Sequence, residues 1–225
     1  MNTEATPEHL SLIGMSGTGK SHWAKRLAQS GFTHYSCDRL IASRLREQLN
    51  RTDGGHMMQM AEWLGFPFDP GYQDREAQYL DHEIAVVSDI VEHIESNGLD
   101  TDQKHVVDTT GSVVYIGETL LQRLAQCTTI VYLSMPYAFH QDLCKRYIAN
   151  PRPVLWRGLF NKQPGESDQQ ALERCYSILL ASRQRLYEQC ANLTINYDQR
   201  SRDGFDAEDL LEAITAESTG NGQNK

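Results

Sequence analysis

Short apolar runs alternate with longer amphipathic stretches along most of this chain. The apolar runs are rich in β-branched and aromatic residues and are bounded by turn residues or acids, which is typical of strands. They fall at residues 10–13, 32–36, 105–108, 128–134 and 193–197. Strands that alternate with helices indicate βαβ units. The pattern therefore predicts an α/β fold with a parallel sheet, in which ligands bind at the carboxyl ends of the strands.

Between these runs, apolar residues recur at the three- to four-residue spacing of helices. Helices are predicted at residues 22–28, 39–49, 57–64, 74–95, 117–126, 137–148, 168–190 and 207–216. Residues 150–166 mix prolines and glycines with basic and aromatic side chains, and we expect a mobile lid there. The predicted organisation is a flexible polar leader at 1–8, a single domain at 9–217 and a polar tail at 218–225.

The composition suits a globular chain that can bury a core, since 40% of its 225 residues are hydrophobic and 23% are charged. The net charge of −9 argues against binding to nucleic acid or to an anionic membrane, because both favour a basic surface. The five cysteines include no C-x-x-C pair, so neither a disulfide framework nor a zinc site is indicated. We find no signal peptide and no apolar run long enough to span a bilayer, and expect a cytoplasmic monomer.

Residues 14–21, Gly-Met-Ser-Gly-Thr-Gly-Lys-Ser, fit the phosphate-binding pattern G-x-x-x-x-G-K-[ST] at every fixed position. They lie between a predicted strand and a predicted helix, whereas a chance match in a chain of this length arises roughly once in a hundred. Glycines let the backbone wrap a phosphate, and N–H groups of the loop and helix start point at the anion. Lys20 is expected to bridge the β- and γ-phosphates, and Ser21 to bind Mg²⁺. The predicted nucleotide-binding residues are Gly14, Met15, Ser16, Gly17, Thr18, Gly19, Lys20, Ser21, His22 and Arg152.

Two acids follow predicted strands and are candidates for the chemistry. Asp108 ends the apolar run at 105–107, where a P-loop enzyme needs a carboxylate near Mg²⁺, although an acid there can also simply cap the next turn. Asp38 follows the second strand, where it can orient an acceptor hydroxyl or accept its proton, or cap the next helix. Residues 108–111 also fit the D-x-x-G of GTPases, but the chain has no N-K-x-D signature, so a GTPase is not favoured.

Arginines and a lysine in the lid are candidates for stabilising the phosphoryl group during transfer. A closing lid can bring Arg152, Arg157 or Lys162 to this group while it excludes water, and we select Arg157 as a catalytic candidate. A solvated basic loop is an equally good interpretation of each residue. In the late helix, Arg183 and Arg185 are two positions apart and cannot share a face, so one of them is expected to face solvent.

Taken together, these motifs resemble those of the shikimate kinase family, within the nucleoside-monophosphate-kinase-like P-loop proteins. The resemblance extends over residues 10–197. Besides the P-loop, residues 38–41 are similar to part of the family's D-x-D-x-x-I segment, and residues 152–155 (Arg-Pro-Val-Leu) to the R-P-L-L that opens its lid. Residues 180–191 are similar to its E-R-x-P-L-Y-x-x-x-A.

The resemblance implies a three-layer P-loop NTPase fold with a five-stranded parallel sheet flanked by helices. It also implies ATP and Mg²⁺ as cosubstrates and phosphorylation of a small alcohol. Asp38 would contact the acceptor hydroxyls, and Arg183 would bind an acceptor carboxylate. The resemblance also points to a glycine in the turn after the third strand and to a nearby arginine. The acceptor-binding residues that it implies are Asp38, Arg75, Gly111 and Arg183.

The chain departs from the family pattern mainly on the acceptor side. The first acid of D-x-D is Ser36, and we expect Asp108 to supply the missing charge near the metal from the neighbouring strand. The triple glycine that lies against the shikimate ring is replaced by Thr-Gly-Ser at 110–112, whose side chains we expect to intrude on the acceptor. Tyr-Leu at 79–80 stands where Phe-Arg is expected, which leaves Arg75 as an approximate counterpart of the missing arginine.

The sequence thus predicts an ATP-dependent kinase acting on a small hydroxylated acceptor, with or without a carboxylate. The predicted catalytic residues are Lys20, Asp38 and Arg157, and the predicted metal ligands are Ser21 and Asp108. Two alternatives stay open. One is a nucleoside or nucleotide kinase, in which Phe66, Phe68 or Tyr72 stacks on a base. The other is a nucleotide-binding regulator with little or no catalysis.

Overall fold

The structure, a computed structural model, describes residues 9–49, 55–97 and 103–220. A parallel sheet of five strands forms its centre, in the order β2-β3-β1-β4-β5. The strands are β1 (His9–Ile13), β2 (Phe32–Ser36), β3 (Lys104–Asp108), β4 (Thr129–Leu133) and β5 (Leu193–Ile195). The predicted α/β fold with five parallel strands is confirmed.

Helices cover both faces of the sheet. They are α1 (Lys20–Gln29), α2 (Cys37–Arg44), α3 (His56–Leu64), α4 (Tyr72–Asn97), α5 (Glu118–Cys127), α6 (His140–Ala149), α7 (Asp168–Cys190), α8 (Tyr197–Arg200) and α9 (Ala207–Gly220). In the central strand, Leu10 and Leu12 join the apolar cluster that contains Trp23 and Leu27 of α1, whereas Ile13 joins the cluster on the other face. Successive strand side chains point to opposite faces, so this alternation builds the three layers.

Some element boundaries differ from those that the pattern predicts. Helix α2 ends at Arg44 rather than at residue 49, and Ser36 occupies its N-cap position, so the alternative interpretation of Asp38 as the cap of this helix is wrong. Residues 218–220 continue helix α9 instead of forming a polar tail. The predicted leader at 1–8, residues 51–54 of the predicted loop and residues 221–225 of the tail lie outside the described residues.

The predicted lid at residues 150–166 contains no helix or strand, but its first part is firmly packed. Trp156 is only 1% exposed. Glu76 of α4 accepts hydrogen bonds from the backbone N–H groups of Trp156 and Arg157. The base of the lid is therefore attached to α4 by a buried carboxylate.

Two further findings bear on the broad class of protein. All five cysteines are free thiols. Over the described ranges, none of the helices combines the length and the apolar character needed to cross a membrane.

Candidate active site

The loop between β1 and α1 follows a path that requires glycine. Gly14 has a φ of +142°, and a Cβ at this position would lie 2.9 Å from the carbonyl oxygen of Leu133. Gly19 has a φ of 96° as the N-cap of α1, in the left-handed region that side chains disfavour. The Thr18 hydroxyl donates to the Met15 carbonyl oxygen at 3.0 Å and closes the loop. The result is a tight backbone cradle at a helix start, which suits a phosphate group.

The Lys20 amine lies buried in this cradle. Its Nζ donates to the carbonyl oxygens of Gly14 at 2.8 Å and Met15 at 3.0 Å. Burial lowers the pKa of Lys20, and the carboxylates of Asp108 and Asp38 act in the opposite direction. The structure therefore brings together the predicted P-loop lysine and the two acids that the sequence indicates.

The residues that follow Lys20 are more open to solvent. Ser21 is exposed in the first turn of α1, so its hydroxyl is open to solvent. His22 is also exposed, and its ring packs edge-on against Trp23 with the ring centroids 5.1 Å apart. Of the two, only Ser21 carries an oxygen ligand of the kind that Mg²⁺ prefers.

Asp108 is a buried acid with an unsatisfied oxygen. It is 3% exposed, and its Oδ1 has no hydrogen-bond partner within the part of the chain that the structure describes. Its Oδ2 lies 3.7 Å from Nε2 of His34. In the parallel register of β2 and β3, Ser36 is the direct partner of Asp108. The carboxylate thus lies in the strand beside Ser36, where the resembling family carries an acid.

Asp38 lies in the first turn of α2 and is half-buried. The Tyr79 hydroxyl is 3.5 Å from its Oδ1. Burial raises the pKa of Asp38 to about 6, against the opposing effects of Lys20 and the exposed Arg152. A carboxylate that titrates close to neutral pH is suited to accept a proton from a hydroxyl group.

Glu83 of α4 is a fully buried acid that neither a motif nor the family resemblance indicates. It accepts hydrogen bonds from the hydroxyls of Thr110 and Ser112, the latter at 2.6 Å. Burial raises the pKa of Glu83 to about 7, although these two hydrogen bonds favour the charged form. The sequence signal for this residue is an acid between the buried Leu80 and Val87 of an amphipathic helix.

Gly111 faces the P-loop from the turn after β3. A Cβ on this residue would lie 3.4 Å from the backbone nitrogen of Ser16 and 3.4 Å from Nη1 of Arg183. The hydroxyls of Thr110 and Ser112 on either side point to Glu83. The two side chains that were expected to intrude on the acceptor are therefore held by α4, and the turn presents a glycine to the loop.

Arg183 is buried beside this turn, whereas Arg185 is exposed, as the helical spacing predicts for one of the two. Nη2 of Arg183 donates to the carbonyl oxygen of Leu155 at 2.7 Å, and Nε donates to the Tyr115 hydroxyl at 3.4 Å. Burial acts to lower the pKa of the Arg183 guanidinium group, but the effects of Tyr187 and Tyr115 are larger together, and the pKa is raised. Two of its nitrogens are thus committed to the lid base and to an aromatic neighbour.

Arg75 is attached to the turn before α4. Its Nε donates to the carbonyl oxygen of Leu64 at 3.0 Å, and its Nη1 donates to that of Pro70 at 3.1 Å. These contacts hold the turn at residues 65–71 in place. The hydrogen bonds of Arg75 in the described structure are therefore with backbone carbonyls and not with the acids of the candidate site.

The basic residues of the lid have different partners. Arg157 has a φ of 49°, and its Nη1 lies 4.0 Å from Oε2 of Glu76. Lys162 forms an ion pair with Asp168 at 2.8 Å. Arg152 is exposed and forms no ion pair among the described residues. In this conformation, Arg157 supports the base of the lid.

The residues of the site fit a nucleoside triphosphate and Mg²⁺. The glycine cradle and the buried Lys20 amine suit the phosphates, and Oδ1 of Asp108 and the Ser21 hydroxyl are oxygen ligands. Among the described residues, no group of three or more histidines, cysteines or acids is suited to hold a metal by itself. A magnesium ion at this site would therefore depend on phosphate oxygens and water for most of its coordination.

Solved structures with a similar fold include three bacterial shikimate kinases. The one from Acinetobacter baumannii, solved in complex with shikimate, is 21% identical with a TM-score of 0.58, and the match covers 99% of this chain and 97% of that one. The one from Bacteroides thetaiotaomicron is 16% identical with a TM-score of 0.57, and the match covers 93% of this chain and 97% of that one. The one from Aquifex aeolicus is 18% identical with a TM-score of 0.55, and the match covers 96% of this chain and 99% of that one. No protein-family model matches the sequence, and no curated protein is significantly similar to it. The chain therefore shares its overall fold with these shikimate kinases.

Proposed function

We propose that the protein is an ATP-dependent kinase that transfers a phosphoryl group from Mg·ATP to the hydroxyl of a small molecule. One observation carries this proposal. The amine of Lys20 lies buried in a glycine cradle, where burial lowers its pKa and the nearby carboxylates of Asp108 and Asp38 oppose this shift. A phosphate-binding lysine, a candidate metal ligand and a candidate base thus share one site.

Each group has a defined task in this proposal. Lys20 binds the β- and γ-phosphates, and Ser21 and Asp108 bind Mg²⁺ directly or through water, which neutralises charge on the phosphates. Asp38 orients the acceptor hydroxyl and accepts its proton as the phosphoryl group is transferred, since a pKa raised to about 6 makes it a stronger base than an ordinary carboxylate while most of it stays ionised at neutral pH. Arg157 reaches the phosphoryl group only after it leaves Glu76, so its catalytic role requires movement of the lid.

The acceptor in this proposal is a small hydroxylated molecule bound between Asp38, Gly111 and Arg183. Shikimate is the first candidate, because the structurally similar kinase from Acinetobacter baumannii was solved with it. The residue at position 80 is a buried leucine, however, where the family resemblance implies an arginine. We therefore propose that the acceptor makes fewer charged contacts on α4 than shikimate would. A cytoplasmic, monomeric state is part of the same proposal.

The alternative of a nucleoside kinase finds less support in the aromatic residues before α4. Phe66 and Phe68 stack on each other with centroids 5.4 Å apart, and Phe68 also contacts Phe160 of the lid. Tyr72 is 4% exposed, and its hydroxyl lies 2.7 Å from the carbonyl oxygen of Val154. These rings pack against one another and the lid, so a base would have to displace them.

The test is consumption of Mg·ATP with and without shikimate, in the wild type and in two lysine variants. Lys20→Ala removes the phosphate-binding amine, and we expect turnover to fall about 100-fold or more. Lys104→Ala is the control, because Lys104 lies at the amino end of β3, opposite the edge that carries the loop. It should retain wild-type turnover.

The outcomes separate the candidate functions. Shikimate-dependent turnover that Lys20→Ala abolishes would support the proposal with its first acceptor. If Mg·ATP stabilises the protein but shikimate has no effect, a panel of alcohols and nucleosides screened by thermal shift identifies the acceptor class. Tight ATP binding without turnover on any acceptor would favour the regulator, and absence of ATP binding would overturn the proposal.

A further inference from the structure

His34 of β2 lies next to Asp108 and has no role in the site as described so far. Nε2 of its imidazole is buried and has no hydrogen-bond partner among the described residues. This nitrogen lies 3.7 Å from Oδ2 of Asp108, which is too long for a hydrogen bond. Oδ1 of the same carboxylate is also without a partner in the described structure. Two buried polar groups thus lie side by side, and neither satisfies the other.

The strand register places both groups on the face of the sheet that α1 covers. Asp108 is the partner of Ser36, and Val106 is the partner of His34 in the same pair of strands. Partners in register, and residues two positions apart in one strand, point to the same face. Val106 belongs to the apolar cluster that α1 helps to form. His34 and Asp108 therefore project toward the helix that follows the phosphate loop.

The imidazole of His34 points its Nε2 toward the protein interior. The side chain is 20% exposed as a whole, whereas that of Asp108 is 3% exposed. The exposed part of the ring is not Nε2, because this atom is buried. A ring turned outward would let Nε2 bind water, so the inward orientation requires a partner that compensates for the lost hydration.

The lysine of the phosphate loop is not this partner. The Lys20 amine donates to two backbone carbonyl oxygens and takes part in none of the ion pairs found between described residues. A metal ion, by contrast, would satisfy both groups at once. Nitrogen and oxygen ligands lie about 2.0–2.2 Å from such an ion and hence about 3–4 Å from each other. The separation of 3.7 Å between His34 and Asp108 suits two ligands of one ion.

We propose that His34 and Asp108 together bind the divalent metal ion that accompanies the nucleotide, with the imidazole nitrogen as a direct ligand. This inference rests on the proposed kinase function, since the nucleotide supplies further oxygen ligands. Imidazole is a ligand of first-row transition metals, whereas Mg²⁺ prefers oxygen. His34 therefore shifts the preference of the site from Mg²⁺ toward a transition-metal ion.

The test is pulsed electron paramagnetic resonance of the protein with bound Mn²⁺·ADP, because a nitrogen that binds Mn²⁺ directly modulates the signal of the ion. We expect the wild type to show coupling to an imidazole nitrogen and His34→Gln to lack it. His56→Gln is the matched control, since it removes an exposed histidine at the start of α3, and it should keep the coupling. Absence of the coupling in the wild type, or its persistence in His34→Gln, would overturn the proposal.

Metal affinity provides a second measurement on the same variants. His34→Gln should weaken the binding of Mn²⁺ to the ADP complex about tenfold or more, and that of Mg²⁺ less than about threefold, because only Mn²⁺ loses a favoured nitrogen ligand. An equal loss for both ions would mean that His34 merely orients Asp108, which contradicts direct binding. Thermal unfolding of His34→Gln checks that its fold is retained.

The kinase proposal and the metal site can fail separately. If Mn²⁺·ADP does not bind, the kinase proposal fails, and the same resonance measurement on the nucleotide-free protein titrated with Mn²⁺ still tests the two ligands. Nitrogen coupling that both His34→Gln and Asp108→Asn remove would then support the metal site. Absence of nitrogen coupling in the wild type would overturn it.

Discussion

At the scale of single residues, Asp108 is the group whose surroundings most clearly require a ligand. Its Oδ1 is buried and has no hydrogen-bond partner in the described structure, which is costly for a carboxylate. Its neighbour across the strand pair, Ser36, supplies no charge. A metal ion or a metal-bound water would satisfy this oxygen, so Asp108 is where we expect the charge that Ser36 lacks.

This gives a prediction for two neighbouring variants. Asp108→Asn removes the negative charge while keeping the side-chain shape, and it should weaken binding of Mg·ATP about 10- to 100-fold. Ser36→Ala removes only a half-buried hydroxyl and should change the affinity less than twofold. Titration calorimetry with a non-hydrolysable ATP analogue and Mg²⁺ measures both. Equally small effects would show that Asp108 does not replace the missing acid.

At the scale of elements, one helix face connects the three parts of the site. Glu76, Tyr79 and Glu83 are three and then four positions apart, so they lie on the same side of α4. Glu76 binds the base of the lid, Tyr79 approaches Asp38, and Glu83 binds the turn after β3. Any shift of α4 would therefore move the lid, the candidate base and the turn together.

The attachment of the lid to α4 can be tested by removing Glu76. Glu76→Ala removes the carboxylate that accepts from the backbone N–H groups of Trp156 and Arg157, and only Trp156 keeps another acceptor, the Tyr72 hydroxyl at 3.1 Å, so we expect a cost of about 1–3 kcal/mol of stability. The same change should make the lid more sensitive to trypsin, which cleaves after Arg157 and Lys162. Limited proteolysis followed by mass spectrometry measures this rate.

Glu62→Ala is the control for this experiment, because Glu62 is an exposed glutamate of α3. It should be cleaved at the wild-type rate and keep wild-type stability. If both variants are cleaved at the same rate, Glu76 does not hold the lid.

At the scale of the whole molecule, the sheet order brings together parts of the site that are far apart in the chain. The central strand β1 lies between β3 and β4, so the loop after β1 meets the carboxyl end of β3. There the chain collects three acids, two of which have a pKa that burial raises: Asp38 to about 6 and Glu83 to about 7. Such groups make the stability of the entire fold depend on pH.

The sign of this dependence follows from the raised pKa of Glu83. The folded protein holds its proton more tightly than the unfolded chain, so this contribution to stability is complete below about pH 4.5 and is lost as the pH rises through about 7. Glu83→Gln removes the titration and keeps a polar partner for Thr110 and Ser112. As the pH rises from 5 to 8, the free energy of unfolding of the wild type should therefore fall by about 1–3 kcal/mol more than that of the variant.

Urea denaturation at the two pH values measures this difference. Glu62→Gln, at an exposed position, should follow the wild-type profile. Parallel profiles of the wild type and Glu83→Gln would contradict the prediction.

Much of the fold was predictable because local patterns encode it. The bounds of α7, Asp168–Cys190, agree with the helical periodicity, and Ser167 adds the side-chain cap that starts this helix. The P-loop was recognisable because its function depends on consecutive residues. The sequence indicated Asp38 as a site residue, but the alternative that it caps α2 was wrong, because Ser36 holds the N-cap position. The position of a cap depends on the exact residue at which the helix begins, and a sequence pattern does not fix this residue.

By itself, the sequence determined the order of strands and helices, the phosphate loop and the acids that follow the strands, because each depends on neighbouring residues. Only the tertiary structure decided that Ser36 lies beside Asp108, that Glu83 holds Thr110 and Ser112, and that Arg75 is engaged in a turn. These contacts join residues that are up to dozens of positions apart. Their geometry depends on strand register and on the direction in which each side chain packs, and a local sequence pattern predicts neither.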